Sequence, residues 1–213
     1  MSIFVGIPTR GIIFTETLIG VSENLKGKTY SLMPIVKEPV DAARNFIISK
    51  FLESDADYLW TIDDDEVSPP GTLDAMIAAD KPVVCVDAPA KKTGKSNVFR
   101  NLDGTVAATG FGCALFKREV FESLEKPWFS LAPRRQLIKR NRCYEFPIVD
   151  NTINPWGGED VNFSLKLREK GYELYVLDGF VCDHLEYEQF ARQERATRVL
   201  PIIRYSGITG APR

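Results

Sequence analysis

The chain has 213 residues, 44% of them apolar and 26% charged, which is material for one ordinary globular domain or two very small ones, with enough to bury a core. Lys and Arg number 27 against 29 Asp and Glu, a formal charge of -2, which excludes a surface built throughout to coat nucleic acid or an anionic membrane. No apolar stretch approaches the length of a bilayer span, and the first residues meet Pro8 early and lack a basic leader, so a cytoplasmic protein is expected.

Short apolar runs alternate with helical patterns, as in an α/β sheet with crossover helices. Residues 3–7 read as a first strand stopped by Pro8, residues 15–24 as a helix, and residues 30–35 as a second strand. Asp41 is the expected cap of a helix running to Glu53, with Ala43, Phe46, Ile47 and Phe51 on its apolar face. Residues 58–62 form the next strand, Ser68-Pro69-Pro70 starts a short helix to about Ala79, and residues 83–86 make another strand.

After Pro89 the pattern changes. Residues 98–100 and 105–107 flank Asp103-Gly104, a hairpin signal. Residues 110–116 read as a buried strand leading into a helix around 119–124, and residues 133–142 show positive charge with little periodicity. A helix from Glu159 to Lys170 stops at Gly171, strands follow at 173–177 and 180–182, and a polar tail begins near Leu185. One domain over residues 1–185 is expected, with a nucleotide-binding-like half (about 1–88), a more mixed half (89–185), and a tail at 186–213.

The four cysteines form no CxxC pair, which argues against a zinc knuckle; Cys85, Cys113 and Cys182 lie in apolar runs and read as reduced, buried thiols. The loudest chemical feature is Asp63-Asp64-Asp65-Glu66, directly after Tyr58-Leu59-Trp60-Thr61-Ile62. Four acids at a strand mouth repel one another unless a cation or solvent relieves them. Ligands of open α/β sheets bind at the carboxyl ends of strands, where hard oxygens suit Mg²⁺ or Mn²⁺ and, through them, phosphate. An acidic lead into the helix after Ser68 is the plainer reading, and it accounts for one or two acids.

A second acidic station is Trp156-Gly157-Gly158-Glu159-Asp160, whose glycines permit close backbone approach at a helix start. There Asp160 is a candidate proton acceptor, although carboxylates at a helix N-terminus also simply complement its dipole. The only histidine, His184, follows an apolar strand and can reach the same sheet edge.

The ordered set Ile7-Pro8-Thr9-Arg10, Ala43-Arg44-Asn45, Leu59 to Asp65, Gly110-Phe111-Gly112, Gly158-Glu159-Asp160-Val161 and His184 resembles the GT-A-fold glycosyltransferases of the broad family-2-like kind, over about residues 2–186. The resemblance implies a single GT-A-type domain, a Rossmann-like mixed sheet flanked by helices, with residues 89–185 as the acceptor half. It implies transfer of a sugar from a nucleotide-diphosphate sugar, a UDP-sugar ahead of a GDP-sugar, to an acceptor hydroxyl.

By the same resemblance, Asp63, Asp65 and His184 hold a Mn²⁺ or Mg²⁺ ion, with Asp63 acting on the ribose or through the metal. Pro8, Thr9, Arg10, Arg44, Asp63, Asp64 and Gly112 fall on the donor side. Asp160, beside Glu159, is the catalytic base of an inverting displacement; if Asp160 only orients the donor, retention follows. Trp156 and Gly158 fall on the acceptor side. The acceptor is a saccharide, a lipid-linked sugar, a protein or a modified nucleic acid.

The chain departs from the family in lacking room for an appended acceptor domain and in lacking the Gln-x-x-Arg-Trp motif of processive synthases. Two basic stretches fit a diphosphate: Lys91, Lys92, Lys95 and Arg100, and then Arg134, Arg135, Lys139, Arg140 and Arg142. The second is expected to order over the bound donor as a lid; an anionic acceptor polymer would use the same charges. Two rivals stand beside this reading. One is a nucleotidyltransferase or other Mg²⁺ phosphotransfer enzyme, although Pro8-Thr9-Arg10-Gly11 is no P-loop. The other is a non-catalytic nucleotide-sugar binder.

Overall fold

The computed structural model describes residues 1–37, 39–133, 135, 138–140, 143–145, 147–148 and 158–186. In chain order the elements are β1 (Ser2–Thr9), α1 (Thr15–Leu25), β2 (Thr29–Val36), α2 (Val40–Glu53), β3 (Tyr58–Ile62), β4 (Glu66–Val67), α3 (Thr72–Ala78) and β5 (Val83–Asp87). They continue with β6 (Phe99–Arg100), β7 (Val106–Ala108), β8 (Cys113–Lys117), α4 (Arg118–Ser123), β9 (Ile138–Arg140), β10 (Cys143–Glu145), α5 (Glu159–Glu169), β11 (Tyr175–Val181) and β12 (Asp183–His184).

Six strands form one mixed sheet in the order β11-β5-β8-β3-β1-β2. β1 pairs in parallel with β2 and β3, and β5 with β11, whereas β8 runs antiparallel between β3 and β5. The alternation of β1 sends side chains into two cores. Ile3, Val5 and Ile7 pack with Val21 and Leu25 of α1, and with Trp60, Leu73 and Met76. On the other face Phe4 joins Ile47 and Phe51 of α2 and the rings of Phe111, Phe116, Phe121, Phe129 and Phe163. Gly6 has no side chain because Ile47 fills the space a Cβ would need.

Several expected boundaries shift for identifiable reasons. Pro8 does not stop β1, which runs on to Thr9. Pairing with β3 ends at Gly6, so beyond it β1 keeps only its β2 neighbour and loses little to a missing N–H. Asp41 is not the cap of α2; Pro39 holds that place, and the Asp41 carboxylate accepts from the Leu131 N–H at 3.2 Å and the Ala42 N–H at 2.9 Å. Phe46 is exposed on that helix while Ile48 and Arg44 are buried, which a purely apolar periodicity could not anticipate.

α3 begins at Thr72, after both prolines, with Gly71 in the left-handed region at φ 81°. The buried run 110–116 becomes strand only from Cys113. The two expected strands at 173–177 and 180–182 are the single β11, irregular between Val176 and Val181. The aperiodic basic segment carries the β9–β10 hairpin, in which Cys143 pairs with Arg140.

Arg118 ties the C-terminal end of α2 to the start of α4. Its guanidinium donates to the carbonyls of Phe51 (3.1 Å), Leu52 (3.3 Å), Ser54 (2.6 Å) and Ala56 (2.8 Å) and lies over the Phe51 ring. These carbonyls include the orphaned acceptors of a helix end. Arg118→Ala is expected to cost about 2 kcal/mol, a fall in Tm of roughly 4–8 °C for a chain of this size. Thermal unfolding followed by circular dichroism checks it, and an unchanged Tm refutes it.

Candidate active site

The sheet brings the chemistry to one edge. Pro8 and Thr9 end β1, Asp63 follows β3, the loop bearing Lys91 follows β5, and His184 follows β11, all at carboxyl ends of parallel strands. β8 runs the other way, so its entry at 110–112 meets the same edge. β1 is also where the strand order reverses, the position at which open α/β sheets bind ligands.

The four consecutive acids do not act as one cluster; backbone geometry sends each to a different partner. Asp63 Oδ2 accepts from Arg44 Nη2 at 3.0 Å, while its buried Oδ1 has no hydrogen-bond partner. Asp64 turns under the loop after β1, where Oδ2 accepts from the Arg10 N–H at 3.2 Å and its carbonyl accepts from the Phe14 N–H at 3.0 Å. Burial raises the Asp64 carboxyl above the usual range.

Asp65 meets three basic groups: Lys91 Nζ at 2.5 Å and Arg10 Nη2 at 3.6 Å on Oδ2, and His184 Nε2 at 3.5 Å on Oδ1. Burial alone would raise it, but hydrogen bonds from His184 and Lys91 hold it below the ordinary carboxylate value. Glu66, on β4 opposite His184, is buried, and burial beside Asp63 pushes its carboxyl well up. Gly112 is glycine because a Cβ there would overlap the Glu66 carboxylate; its carbonyl also accepts from the Asp63 N–H at 2.7 Å.

Arg44 joins this group to the second acidic station. It is 2% exposed, donates to Asp63 and to the Phe111 carbonyl (3.1 Å), and lies 3.7 Å from Glu159 Oε1 and 4.0 Å from Asp160 Oδ1. Burial would depress its guanidinium, but Asp63, Asp160, Glu159 and Glu66 outweigh that and hold it charged, above its ordinary value. Burial pushes Asp160 up to about 7, with Glu159 and Asp63 adding to the rise and Arg44 opposing it. Asp160 Oδ1 has no hydrogen-bond partner.

The donor set suits a cation on one side only. His184 Nδ1 lies 3.2 Å from the Pro89 carbonyl, which can only accept, so Nδ1 carries the proton. The other ring nitrogen, Nε2, faces Asp65 Oδ1 at 3.5 Å, and either a ring proton or a shared cation would join the two. Backbone fixation of the far ring nitrogen is how metal-binding histidines are held, and two donors 3.5 Å apart can share an ion with bonds of about 2.0–2.1 Å. Among the described residues no three His, Cys, Asp or Glu side chains converge on one point to hold a metal ion.

A cleft of about 690 Å³ is lined by Pro8, Thr9, Arg10, Asp63, Asp64, Asp65 and His184, together with Lys37, Pro39 and Val40. The last three were not anticipated, although a loop after a parallel strand was reason enough to look there. Glu159 and Asp160 are not in the wall of this cleft but meet Arg44, and Gly112 packs against Glu66 rather than lining the cleft. Gly158 caps α5; Trp156 lies outside the described residues.

Of the first basic stretch only Lys91 joins the acids, and Arg100 donates to the Gly104 carbonyl in its own hairpin. In the second, Arg135 Nε donates to Asn162 Oδ1 at 2.9 Å, Lys139 lies over the Tyr144 ring, and Arg140 faces Glu145. These described residues sit against α5 and β10 rather than in the cleft wall; Arg134 and Arg142 lie outside the described residues. No described helix is long and apolar enough to cross a membrane.

Neither a protein-family model nor a curated protein sequence matches the chain. Among solved structures it is similar to the protein A197 from STIV, at TM-score 0.61 and 20% identity over 87% of this chain and 86% of that one. It is also similar to GalNAc-T7, crystallised with UDP, GalNAc and Mn²⁺, at TM-score 0.54 and 13% identity over 87% of this chain. The match covers 43% of GalNAc-T7, so the chain spans less than half of that protein's length. A weaker likeness, at TM-score 0.44 and 11% identity, is to the inositol-1-phosphate CTP transferase from T. maritima. The fold is thus GT-A-type, that of nucleotide-diphospho-sugar transferases: a six-stranded mixed sheet flanked by helices.

Proposed function

We propose that the chain is a metal-dependent glycosyltransferase that moves a sugar from a nucleotide-diphosphate sugar, a UDP-sugar first, to an acceptor hydroxyl. The observation that carries this reading is the meeting of two acidic stations at Arg44, whose Nη2 lies 3.0 Å from Asp63 Oδ2 and 4.0 Å from Asp160 Oδ1. In the first station Asp65 faces His184; in the second Asp160 keeps an unpartnered oxygen. The UDP, GalNAc and Mn²⁺ named with GalNAc-T7, whose fold is shared, support the choice of donor.

Asp65 and His184 would hold a Mn²⁺ or Mg²⁺ ion, which supplies positive charge to the departing diphosphate. Pro8, Thr9 and Arg10 line the nucleoside side of the cleft, and Asp63 Oδ1 offers an acceptor to a ribose hydroxyl. Asp64 and Gly112 support these groups from behind. Asp160 takes the proton of the attacking hydroxyl, and attack from its side of the sugar inverts the anomeric centre. Glu159 and Arg44 orient and polarise that base. Trp156 and Gly158 belong to the acceptor side, with a saccharide, lipid-linked sugar, protein or modified nucleic acid as acceptor.

Incubation with a panel of nucleotide sugars and Mn²⁺ tests the reading through release of free nucleoside diphosphate. Pyrophosphate formed from a nucleoside triphosphate would replace it by nucleotidyl transfer, and a rise in Tm without release by a binding role. Calorimetric titration is expected to show that Asp65→Asn and His184→Ala each weaken Mn²⁺-dependent UDP binding on the order of tenfold or more. Wild-type affinity in both would remove the cation from these residues.

Asp160 gives a signed pH dependence. Its carboxyl, raised to about 7 in the fold, is protonated and useless as a base below that pH and ionised above it. Turnover is therefore expected to rise with pH through about 7, and Asp160→Asn to lower kcat by about 10²–10⁴ with donor affinity kept. A flat profile, or equal losses in binding and turnover, would return Asp160 to a structural role.

A further inference from the structure

Lys91 is the one member of the first basic stretch drawn into the acids, and it occupies a position that conflicts with a cation there. Its ammonium lies 2.5 Å from Asp65 Oδ2, on a carboxylate whose other oxygen faces His184. Arg10 is 3.6 Å from the same Oδ2. A divalent ion shared by Asp65 and His184 would thus meet two positive side chains already compensating a single carboxylate. The two differ in how closely they engage Asp65: Arg10 stands off at 3.6 Å on a mostly exposed side chain, whereas the half-buried Lys91 is in direct contact, so Lys91 is the charge that such an ion displaces. Lys91 is a point charge on a flexible four-carbon stem, borne by a turn closed by the Ala90 N–H on the Lys95 carbonyl (2.8 Å) and the Gly94 N–H on the Ala90 carbonyl (2.8 Å).

The base of that loop stays fixed. Asn97 donates to Asp87 Oδ1 at 3.0 Å and to the Ala88 carbonyl at 2.7 Å, and the Pro89 carbonyl meets His184 Nδ1. The loop therefore keeps the histidine oriented whichever way the lysine side chain turns. We propose that Lys91 is an exchangeable counter-ion: it neutralises Asp65 without the divalent ion and transfers to the donor diphosphate when that ion takes the carboxylate. The exchange balances charge at each stage. The ion replaces the ammonium on Asp65, and the ammonium then meets the phosphate oxygens that arrive with the ion. Lys91 becomes a specificity element for a diphosphate over a donor without one. The inference rests on the proposed cation site at Asp65 and His184.

The test uses the full chain and the variants Lys91→Met and Lys91→Arg, with Mn²⁺ alone followed by electron paramagnetic resonance and UDP at saturating Mn²⁺ followed by calorimetry. Removal of the competing ammonium in Lys91→Met is expected to tighten Mn²⁺ binding about threefold to tenfold. It is expected to weaken UDP binding about tenfold or more, through loss of a charge-assisted bond, and Lys91→Arg to recover most of the UDP affinity. Opposite signs for metal and nucleotide are the signature, because mere damage to the loop lowers both affinities. Parallel losses, or no change in either, overturn the inference while Asp65-dependent binding stands. Absence of Mn²⁺-dependent UDP binding in the unaltered chain overturns the cation site as well.

Discussion

One buried guanidinium, that of Arg44, makes the acidic edge of this molecule tenable. Asp63, Glu159, Asp160 and Glu66 all press on it, and it reaches the Phe111 carbonyl besides. Without that charge, four carboxyl groups would share a low-dielectric space with no counter-charge among them, and breaking such a pair typically costs about 3–5 kcal/mol. Arg44 also joins the two stations: its Nη2 lies 3.0 Å from Asp63 Oδ2 and 4.0 Å from Asp160 Oδ1, so one cation braces both.

The second constraint is the strand edge itself. A five-residue strand, β3, delivers its following residues into a tight turn, with the Glu66 N–H bonded to the Asp63 carbonyl at 3.2 Å. Successive side chains of such a turn leave in different directions. Four like charges adjacent in sequence therefore come to lie in four different surroundings: Asp63 on Arg44, Asp64 on the β1 loop, Asp65 among Lys91, Arg10 and His184, and Glu66 buried over Gly112 with one carboxylate oxygen unpartnered. The glycine and the glutamate are two halves of one fit, since the space left by one is filled by the other.

Much of the architecture was readable along the chain, because the period of the apolar residues is a local property. The strands at 58–62 and 83–87 and the helices of α1, α2 and α5 lie within a residue or two of expectation. The misreadings came where long-range partners overrule local preference. Pro8 remains in strand because β2 alone accompanies it there, Asp41 serves Leu131 rather than its own helix, and a charged stretch without periodicity folds back as β9 and β10.

The residues alone determined which chemistry this protein carries: an acidic run at a strand end, a Glu-Asp pair at a helix start, one histidine, and lysines and arginines to answer them. Residue type and spacing suffice for that, because carboxylates, imidazoles and amines bring their chemistry with them wherever the chain puts them. Tertiary structure decided which groups meet. It brought Arg44 between stations about 95 residues apart, faced His184 with Asp65, and set Lys91 rather than its neighbours against that carboxylate. Those meetings, and the proton affinities that follow from them, depend on burial and on through-space distance, which only the folded sheet fixes.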